Sequence, residues 1–460
     1  MILWNYIKEY MRYYPRQTVG EGDAKIMYEE LMAYAEIFAG KLTGQKCCAI
    51  YCKSELAAAI ALLGCFAAGV TAVPLSLRYG EEHCKKILDF ISPTCIVTDN
   101  DGMFGICEIS DSKYTEPEKH PALIMCTSGT TGTPKGVMLS EENVVSNLFG
   151  ISEYFHLGTT DTTLIARPLY HCAVLTGEFL LSLIRGANIE FYSGAFNPVE
   201  IINLWREKEI TVFGGTPTLL SLIARFLRSG DKIHLRHIVV SGECMNEEIG
   251  REISSSFLGA DIYHVYGLTE ASPRIAYMSP SAFLKYPDRV GKPLSNVQLK
   301  IQSPKGRPIT KPDKRGILWV RGSNIMIGYY NNPALTSKVL RNGWLCTGDI
   351  ASIDNNGFLK IHGRSDDMII RAGMNIYPQE IESALKRDAR VREVLAYGYT
   401  DKLNRTQIGI EICGDFADTN EVHTMCCELL PSYQVPTEIN ILTSLKKNGS
   451  GKIIRRKRNV

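Results

Sequence analysis

The chain has 460 residues, 45% of them hydrophobic and 22% charged, with a formal net charge of +2. That length suits about two to four globular domains, and the balance excludes a disordered chain and gives no global attraction to nucleic acid or acidic surfaces. The 14 cysteines are scattered, form no CxxC and stand at no zinc-site spacing from histidine, so reduced, mostly buried thiols in a cytoplasmic protein are expected.

The opening "MILWNYIKEYMRYY" lacks the basic-then-apolar order of a signal peptide. "KIMYEELMAYAEIFAGKL" has helical periodicity, and "CCAIYC" follows as a strand. The stretch from Leu56 to Val73 approaches the length of a bilayer span. It is rich in Ala and broken by Gly64 and Gly69, so it predicts a buried helix entering a strand at "VTAVPL", with no membrane span. Helix "EEHCKKILDFI" and strand "TCIVTD" come next, then the apolar run "ALIMC" and the segment "TSGTTGTPKG", with a helical pattern after it. From "EENVVSNLFGISEYF" to "DIYHVYG", helices alternate with β-branched runs ("TLIARPL", "NIEFYS", "NPVEIINLWREKE", "TVFGG", "HIVVSG"), the pattern of α/β layers. After about Pro280, short alternating strands with Gly, Pro and Asn turns suggest a small β barrel. After Arg364 helices return, "PQEIESALKRD" with Pro378 in its first turn, in a small α+β C-terminal domain.

"TSGTTGTPKG" has the composition of a phosphate site. Gly129, Gly132 and Gly136 free backbone N–H groups, Thr127, Ser128, Thr130, Thr131 and Thr133 add hydroxyls, and Lys135 adds positive charge. An apolar run before and a helix after is the setting such loops favour. No GK[ST] follows the first glycine, so it is not a Walker loop, and a ligand-free Ser/Gly loop has the same composition.

Together with "YGLTEAS", "GWLCTGDIA", "GRSDDMIIRAGMNIYPQEIE" and "NGSGKIIRR", this segment resembles the adenylate-forming superfamily of acyl- and aryl-CoA synthetases, nonribosomal peptide adenylation domains and luciferases. The resemblance covers nearly the whole chain. It implies an N-terminal core over 1–365, with the barrel at about 285–365, and a mobile C-terminal domain over 366–460 hinged at Asp366. It also implies ATP and Mg²⁺, and a two-step reaction. A carboxylate attacks the α-phosphorus of ATP to give acyl-AMP and pyrophosphate; a thiol, of CoA or of a carrier protein's phosphopantetheine, then expels AMP. Both anions of the first step need added positive charge and alignment. By resemblance Lys452 bridges them, Thr269 bonds the α-phosphate, and Glu270 holds the metal. Thr127, Ser128, Gly129, Thr130, Thr131 and Lys135 cradle phosphates. Tyr266, Gly242 and Glu243 flank adenine, Asp349 takes the ribose hydroxyls, Arg364 reaches the ribose or phosphate side, and Gly373 lines a pantetheine channel. Each has an ordinary competing role: a turn glutamate, a turn aspartate, a surface arginine, a solvated basic tail.

Relatives that activate amino acids carry an aspartate where this chain reads "RPLYHCAVLTGEF", with no acid before Glu178. A buried ammonium without a counter-ion is costly, so an α-amino acid is disfavoured. The segment resembles that of acyl- and aryl-CoA synthetases, in which the histidine, here His171, closes over the carboxylate. Cys172, Val174, Leu175, Phe213, Gly214, Gly215 and Leu268 complete a pocket of small and apolar residues, suited to a hydrophobic aryl or aliphatic acid. The expected function is an AMP-forming acyl- or aryl-CoA ligase; the alternative is a stand-alone enzyme loading a carrier protein. No aromatic platform accompanies the basic tail, so no nucleic-acid role is expected.

Overall fold

The computed structural model describes residues 2–100, 103–128, 134–228, 233–371, 374–401, 405–447 and 453–455. The chain divides into two compact units. The first comprises Met1–Glu243, Ile249–Leu299 and Val320–Cys346; the second comprises Cys244–Glu248, Lys300–Trp319 and Thr347–Val460.

The first unit is α/β, with a nine-stranded and a seven-stranded sheet. In the larger, Asp261–Gly267, His237–Val240, Val212–Gly215, Thr162–Ile165, Asn188–Phe191 and Thr18–Glu21 run parallel in that spatial order. His237–Val240 and Val212–Gly215 are buried throughout, as strands covered on both faces must be. In the smaller sheet, Thr71–Pro74, Cys47–Ile50 and Cys95–Asn100 run parallel, and Leu123–Ser128 pairs antiparallel with Pro134–Leu139.

The expected helices form where periodicity is long and ends are capped. Glu81–Ile91 coincides with "EEHCKKILDFI". Asn197 caps Pro198–Glu207 by accepting from the Val199 N–H at 3.0 Å. The long apolar stretch is the helix Glu55–Ala68, capped by Ser54 and ended by Gly69 in the left-handed region (φ 68°), before the strand Thr71–Pro74. Among the described residues no helix is long and apolar enough to cross a membrane. Gly64 packs closely against the helix Tyr28–Lys41: a Cβ there would lie 2.5 Å from Phe38 and 3.0 Å from the Ala35 carbonyl oxygen.

Two local expectations change. Lys25 to Met27 belong not to the helix but to a strand, Ala24–Met27, paired with Thr18–Glu21 across the two-residue turn Gly22–Asp23, where Gly22 takes φ 62°. The residues after "TSGTTGT" are also strand, Pro134–Leu139, and the helix expected from "EENVV" starts where that segment does, at Glu141. The phosphate segment therefore joins two antiparallel strands rather than opening a helix. A short apolar run such as "GVML" has no periodicity that separates the two states.

The second unit is α+β. Val391–Thr400 and Thr406–Gly414 pair antiparallel, Glu438–Ile441 joins in parallel, and the helices Pro378–Leu385 and Thr419–Leu429 pack on them. Its core gathers Ile381, Leu385, Val394, Ile408, Ile410, Val422 and Met425. The stretch read as a small barrel contains the strands Val297–Gln302, Gly316–Gly322, Leu340–Arg341, Trp344–Ile353 and Leu359–Arg364, whose residues are divided between the two units.

Candidate active site

Four neighbouring parallel strands, Thr162–Ile165, Val212–Gly215, His237–Val240 and Asp261–Gly267, end at one edge of the large sheet. Their outgoing loops emerge side by side, and ligands of open α/β sheets bind outside such carboxyl ends. These loops carry Arg167 to Cys172, Thr216 to Thr218, Ser241 to Glu243, and Leu268 to Glu270. Gly242 takes φ 92°, a conformation that favours glycine. Thr218 donates to the Glu243 carboxylate through its hydroxyl at 2.7 Å and its N–H at 3.3 Å. Tyr266 is half-buried, opposite Ala276. The Leu268 N–H donates to the Pro273 carbonyl at 2.9 Å, and Thr269–Ala271 forms one tight turn. Glu270 is held from both ends: its carboxylate accepts from the Tyr329 hydroxyl at 2.7 Å, and its carbonyl accepts from the Met326 N–H at 3.0 Å.

The loop leading to His171 is braced by charge. The Leu169 N–H donates to Glu55 at 3.1 Å, and Arg78 donates to the carbonyls of Ala166 (3.0 Å) and Tyr192 (2.6 Å). Glu55 and Arg78 also border a cavity of about 340 Å³, whose lining includes none of the expected acid-pocket residues. His171 is half-buried beside Tyr170, ring centroids 5.6 Å apart, and its carbonyl accepts from the N–H groups of Val174 and Leu175 at 2.9 Å. The helix Cys172–Val174 widens into a π-helical Leu175–Leu180, and Cys172, Val174 and Leu175 are buried. Burial pushes the Cys172 thiol up to about 12; the Glu270 charge adds to this and the Thr176 hydroxyl opposes it. Cys172 is therefore a neutral thiol within electrostatic reach of Glu270.

Successive residues of a strand face opposite sides. Phe213 is fully buried against Trp205, ring centroids 5.1 Å apart. Gly214 faces the other way, and the Glu178 carboxylate fills the space a Cβ would take; Gly215 faces Leu219 and Leu220. Glu178 itself is buried in an ion pair with Arg167.

At the phosphate segment, Thr127 lies opposite Lys135 and Ser128 opposite Pro134, and Lys135 is half-buried. Residues 129–133, among them Gly129, Thr130 and Thr131, lie outside the described residues, as do Gly373 and Lys452. Among the described residues no three His, Cys, Asp or Glu side chains gather as for a resident metal ion. The fixed carboxylate of Glu270 offers the hard oxygen that Mg²⁺ takes when it arrives with a triphosphate.

In the second unit Asp349 and Arg364 lie opposite each other on antiparallel strands and form an ion pair at 3.2 Å. Arg364 also donates to the Thr347 carbonyl at 2.7 Å, and Asp349 is 5% exposed. Asp366 is exposed in the tight turn Ser365–Asp367. The segment carrying Lys452 is bracketed by an antiparallel bridge between Lys447 and Ile453. Ion pairs Lys447–Glu393 and Arg455–Glu382 stand on either side.

Residues 8–330 match the family of AMP-binding enzymes. The chain belongs to that family. This AMP-binding enzyme is 30% identical to the 2-succinylbenzoate–CoA ligase of Bacillus licheniformis, over 98% of both chains. It is 28% identical to a feruloyl-CoA synthase of Amycolatopsis sp, over 86% of this chain and 84% of the relative. A solved structure of the O-succinylbenzoate–CoA synthetase of Bacillus subtilis, in complex with ATP and magnesium ion, superposes with a TM-score of 0.85 at 25% identity, covering 98% of each chain. Membership places the chain in the adenylate-forming superfamily, and it is an AMP-forming acid–CoA ligase.

The motifs of the AMP-binding enzyme were readable, but two of its side-chain pairs were not. Tyr329 stands 59 positions from Glu270, and only the aromatic pair in "GYYNN" marks it. The Arg167–Glu178 pair spans 11 positions, and its signal was an acid inside an otherwise apolar helix.

Proposed function

We propose that the chain activates a hydrophobic aryl or aliphatic acid as its acyl-AMP and passes the acyl group to the thiol of CoA in the cytoplasm. The observation that carries this reading is the side-by-side emergence of the 216–218, 241–243 and 268–270 loops at the carboxyl ends of adjacent parallel strands. Those loops carry the 241–243 backbone to flank a base, a hydroxyl at Thr269 and, held by Tyr329, the carboxylate of Glu270. The names of the relatives, a feruloyl-CoA synthase and a 2-succinylbenzoate–CoA ligase, favour an aromatic acid and CoA as acceptor.

In the first step Lys452 neutralises the charge between carboxylate and α-phosphate while Thr269 bonds the α-phosphate. The Thr127–Thr131 and Lys135 segment cradles the outgoing phosphates. Glu270 would hold Mg²⁺, which when bound would supply charge neutralisation to the triphosphate. Tyr266, Gly242 and Glu243 flank the adenine, and Asp349 takes the ribose hydroxyls with its carboxylate oriented by Arg364. His171 closes over the acid, whose tail meets Cys172, Val174, Leu175, Gly214 and Leu268; Phe213 and Gly215, expected there from the sequence, face the other side of the strand against Trp205, Leu219 and Leu220. In the second step rotation at Asp366 withdraws Lys452 and brings Gly373 to the thiol's channel. The thiol loses its proton to solvent, its sulfur bonds the acyl carbon, and AMP leaves with the electron pair of the anhydride bond.

The test is acid-dependent exchange of pyrophosphate into ATP across aryl, fatty and amino acids, followed by CoA consumption. Exchange with aryl or aliphatic acids, with CoA consumed, supports the reading. Exchange with amino acids alone refutes the pocket assignment, and acylation of carrier protein but not CoA refutes the acceptor.

A further inference from the structure

The acid pocket reads as apolar by sequence, yet Gly214, one of the residues assigned to it, faces a charged pair with spare valence. Arg167 and Glu178 form a buried ion pair, with side chains 11% and 6% exposed. The pair uses only one nitrogen of Arg167 and one oxygen of Glu178. Arg167 Nε and Glu178 Oε2 are both buried without a hydrogen-bond partner among the described residues. Buried polar atoms are nearly always satisfied, and the exceptions ask for a ligand or a water. The carboxylate lies against Gly214, the one residue of the Val212–Gly215 strand whose missing side chain makes room for it. On the helical side it follows Cys172, Val174 and Leu175.

We infer that Glu178 and Arg167 recognise a hydroxyl group at the distal end of the acid. The inference rests on the acid-ligase reading above and narrows its substrate class to hydroxylated acids. A hydroxyl can donate to Glu178 Oε2 and accept from Arg167 Nε at once. An ether can only accept, and an ammonium can only donate. An ammonium would also add a second cation to a carboxylate that Arg167 already neutralises.

The test compares acids matched except for the distal hydroxyl, 4-hydroxycinnamic against cinnamic acid and 12-hydroxydodecanoic against dodecanoic acid, by kcat/KM for pyrophosphate exchange. A site built for a hydroxyl rejects the analogue that leaves its buried groups unpaired, so the hydroxylated member should be preferred by roughly a hundred-fold or more. The double variant Arg167→Met, Glu178→Leu removes both charges together, which buried ion pairs tolerate well, and should reverse the preference. Folding is checked by thermal denaturation. If a folded double variant fails to reverse the preference, Glu178→Gln provides a second reading, since an amide there should lower kcat/KM for the hydroxylated member alone. Equal use of both members by the wild type and by folded variants overturns the inference, because a water then satisfies the pair. Absence of exchange with any acid instead overturns the ligase reading on which it rests.

Discussion

Replacing Tyr329 by Phe removes one oxygen and tests whether Glu270 is a metal carboxylate. The Tyr329 hydroxyl donates to Glu270 at 2.7 Å from a residue only 7% exposed. Its backbone pairs with Val137 on the strand that leaves the phosphate segment, and three residues earlier the Met326 N–H ties down the Glu270 carbonyl. One short strand thus fixes the position of a carboxylate relative to the phosphate segment. A hydrogen bond to a charged group contributes about 1.5–3 kcal/mol. If that energy orients Glu270 for Mg²⁺, its loss should raise the half-saturating Mg²⁺ by about ten- to a hundred-fold, as for other groups that support metal ligands. The assay is a Mg²⁺ titration of acid-dependent pyrophosphate exchange at saturating ATP and acid, beside a denaturant unfolding curve. The maximal rate at high Mg²⁺ should recover, because the carboxylate itself remains. An unchanged Mg²⁺ requirement, with stability falling by the full amount, would mean that Tyr329 only packs the turn, and the metal role of Glu270 would lose its support.

Asp349→Ala removes a 5%-exposed carboxylate that Arg364 orients toward the ribose hydroxyls; KM for ATP should rise about ten- to a hundred-fold, read from exchange kinetics. Lys452→Ala should slow adenylation by about a hundred- to a thousand-fold, while thioester formation from supplied acyl-AMP continues; equal loss of both half-reactions refutes the bridging role. Burial holds His264 down at about 4, although its ring bonds the Arg289 carbonyl at 2.7 Å. Between that value and the ordinary 6.5 the unfolded chain binds a proton that the folded chain refuses. Stability is therefore complete above about 6.5 and falls as pH drops toward about 4, by about 3 kcal/mol from this group; urea midpoints across that window should fall less steeply in His264→Asn. Gly64→Leu forces a side chain between two packed helices, against Phe38 and the Ala35 carbonyl, and should lower stability by about 1–3 kcal/mol in the same urea assay.

The parts of this molecule legible in the sequence are those whose cause is local. The helix Glu81–Ile91 follows from an apolar spacing that buries Cys84, Ile87 and Ile91. Strands such as His237–Val240 follow from short β-branched runs buried on both faces. Gly242 and Gly348 stand where the backbone takes φ 92° and 73°, so a motif that needs those turns keeps glycine. The residues after the phosphate segment carried no assignment because "GVMLS" is too short to show a period; their state is set by pairing with Leu123–Ser128, which no window of five residues can report.

The long-range pairs were hidden for a different reason. A half-buried carboxylate needs a donor but does not dictate where along the chain that donor comes from, so Glu270 could be satisfied by a tyrosine 59 positions away. The same freedom lets Glu178 take Arg167 from the other end of a loop. A phosphate segment must bind a shape that does not vary, and it does so with adjacent backbone groups whose residue types are fixed. An acid pocket must bind whichever acid the enzyme uses, and it does so with side chains brought together by the sheet. Chemistry shared by the family is therefore written as contiguous motifs, whereas selectivity is written as contacts between distant residues. The consequence for this chain is concrete. "HCAVLTGEF" alone suggests an apolar tail. The fold sets Gly214 against Glu178 and leaves Glu178 Oε2 unsatisfied, so the acid that fits is the one whose far end carries a hydroxyl.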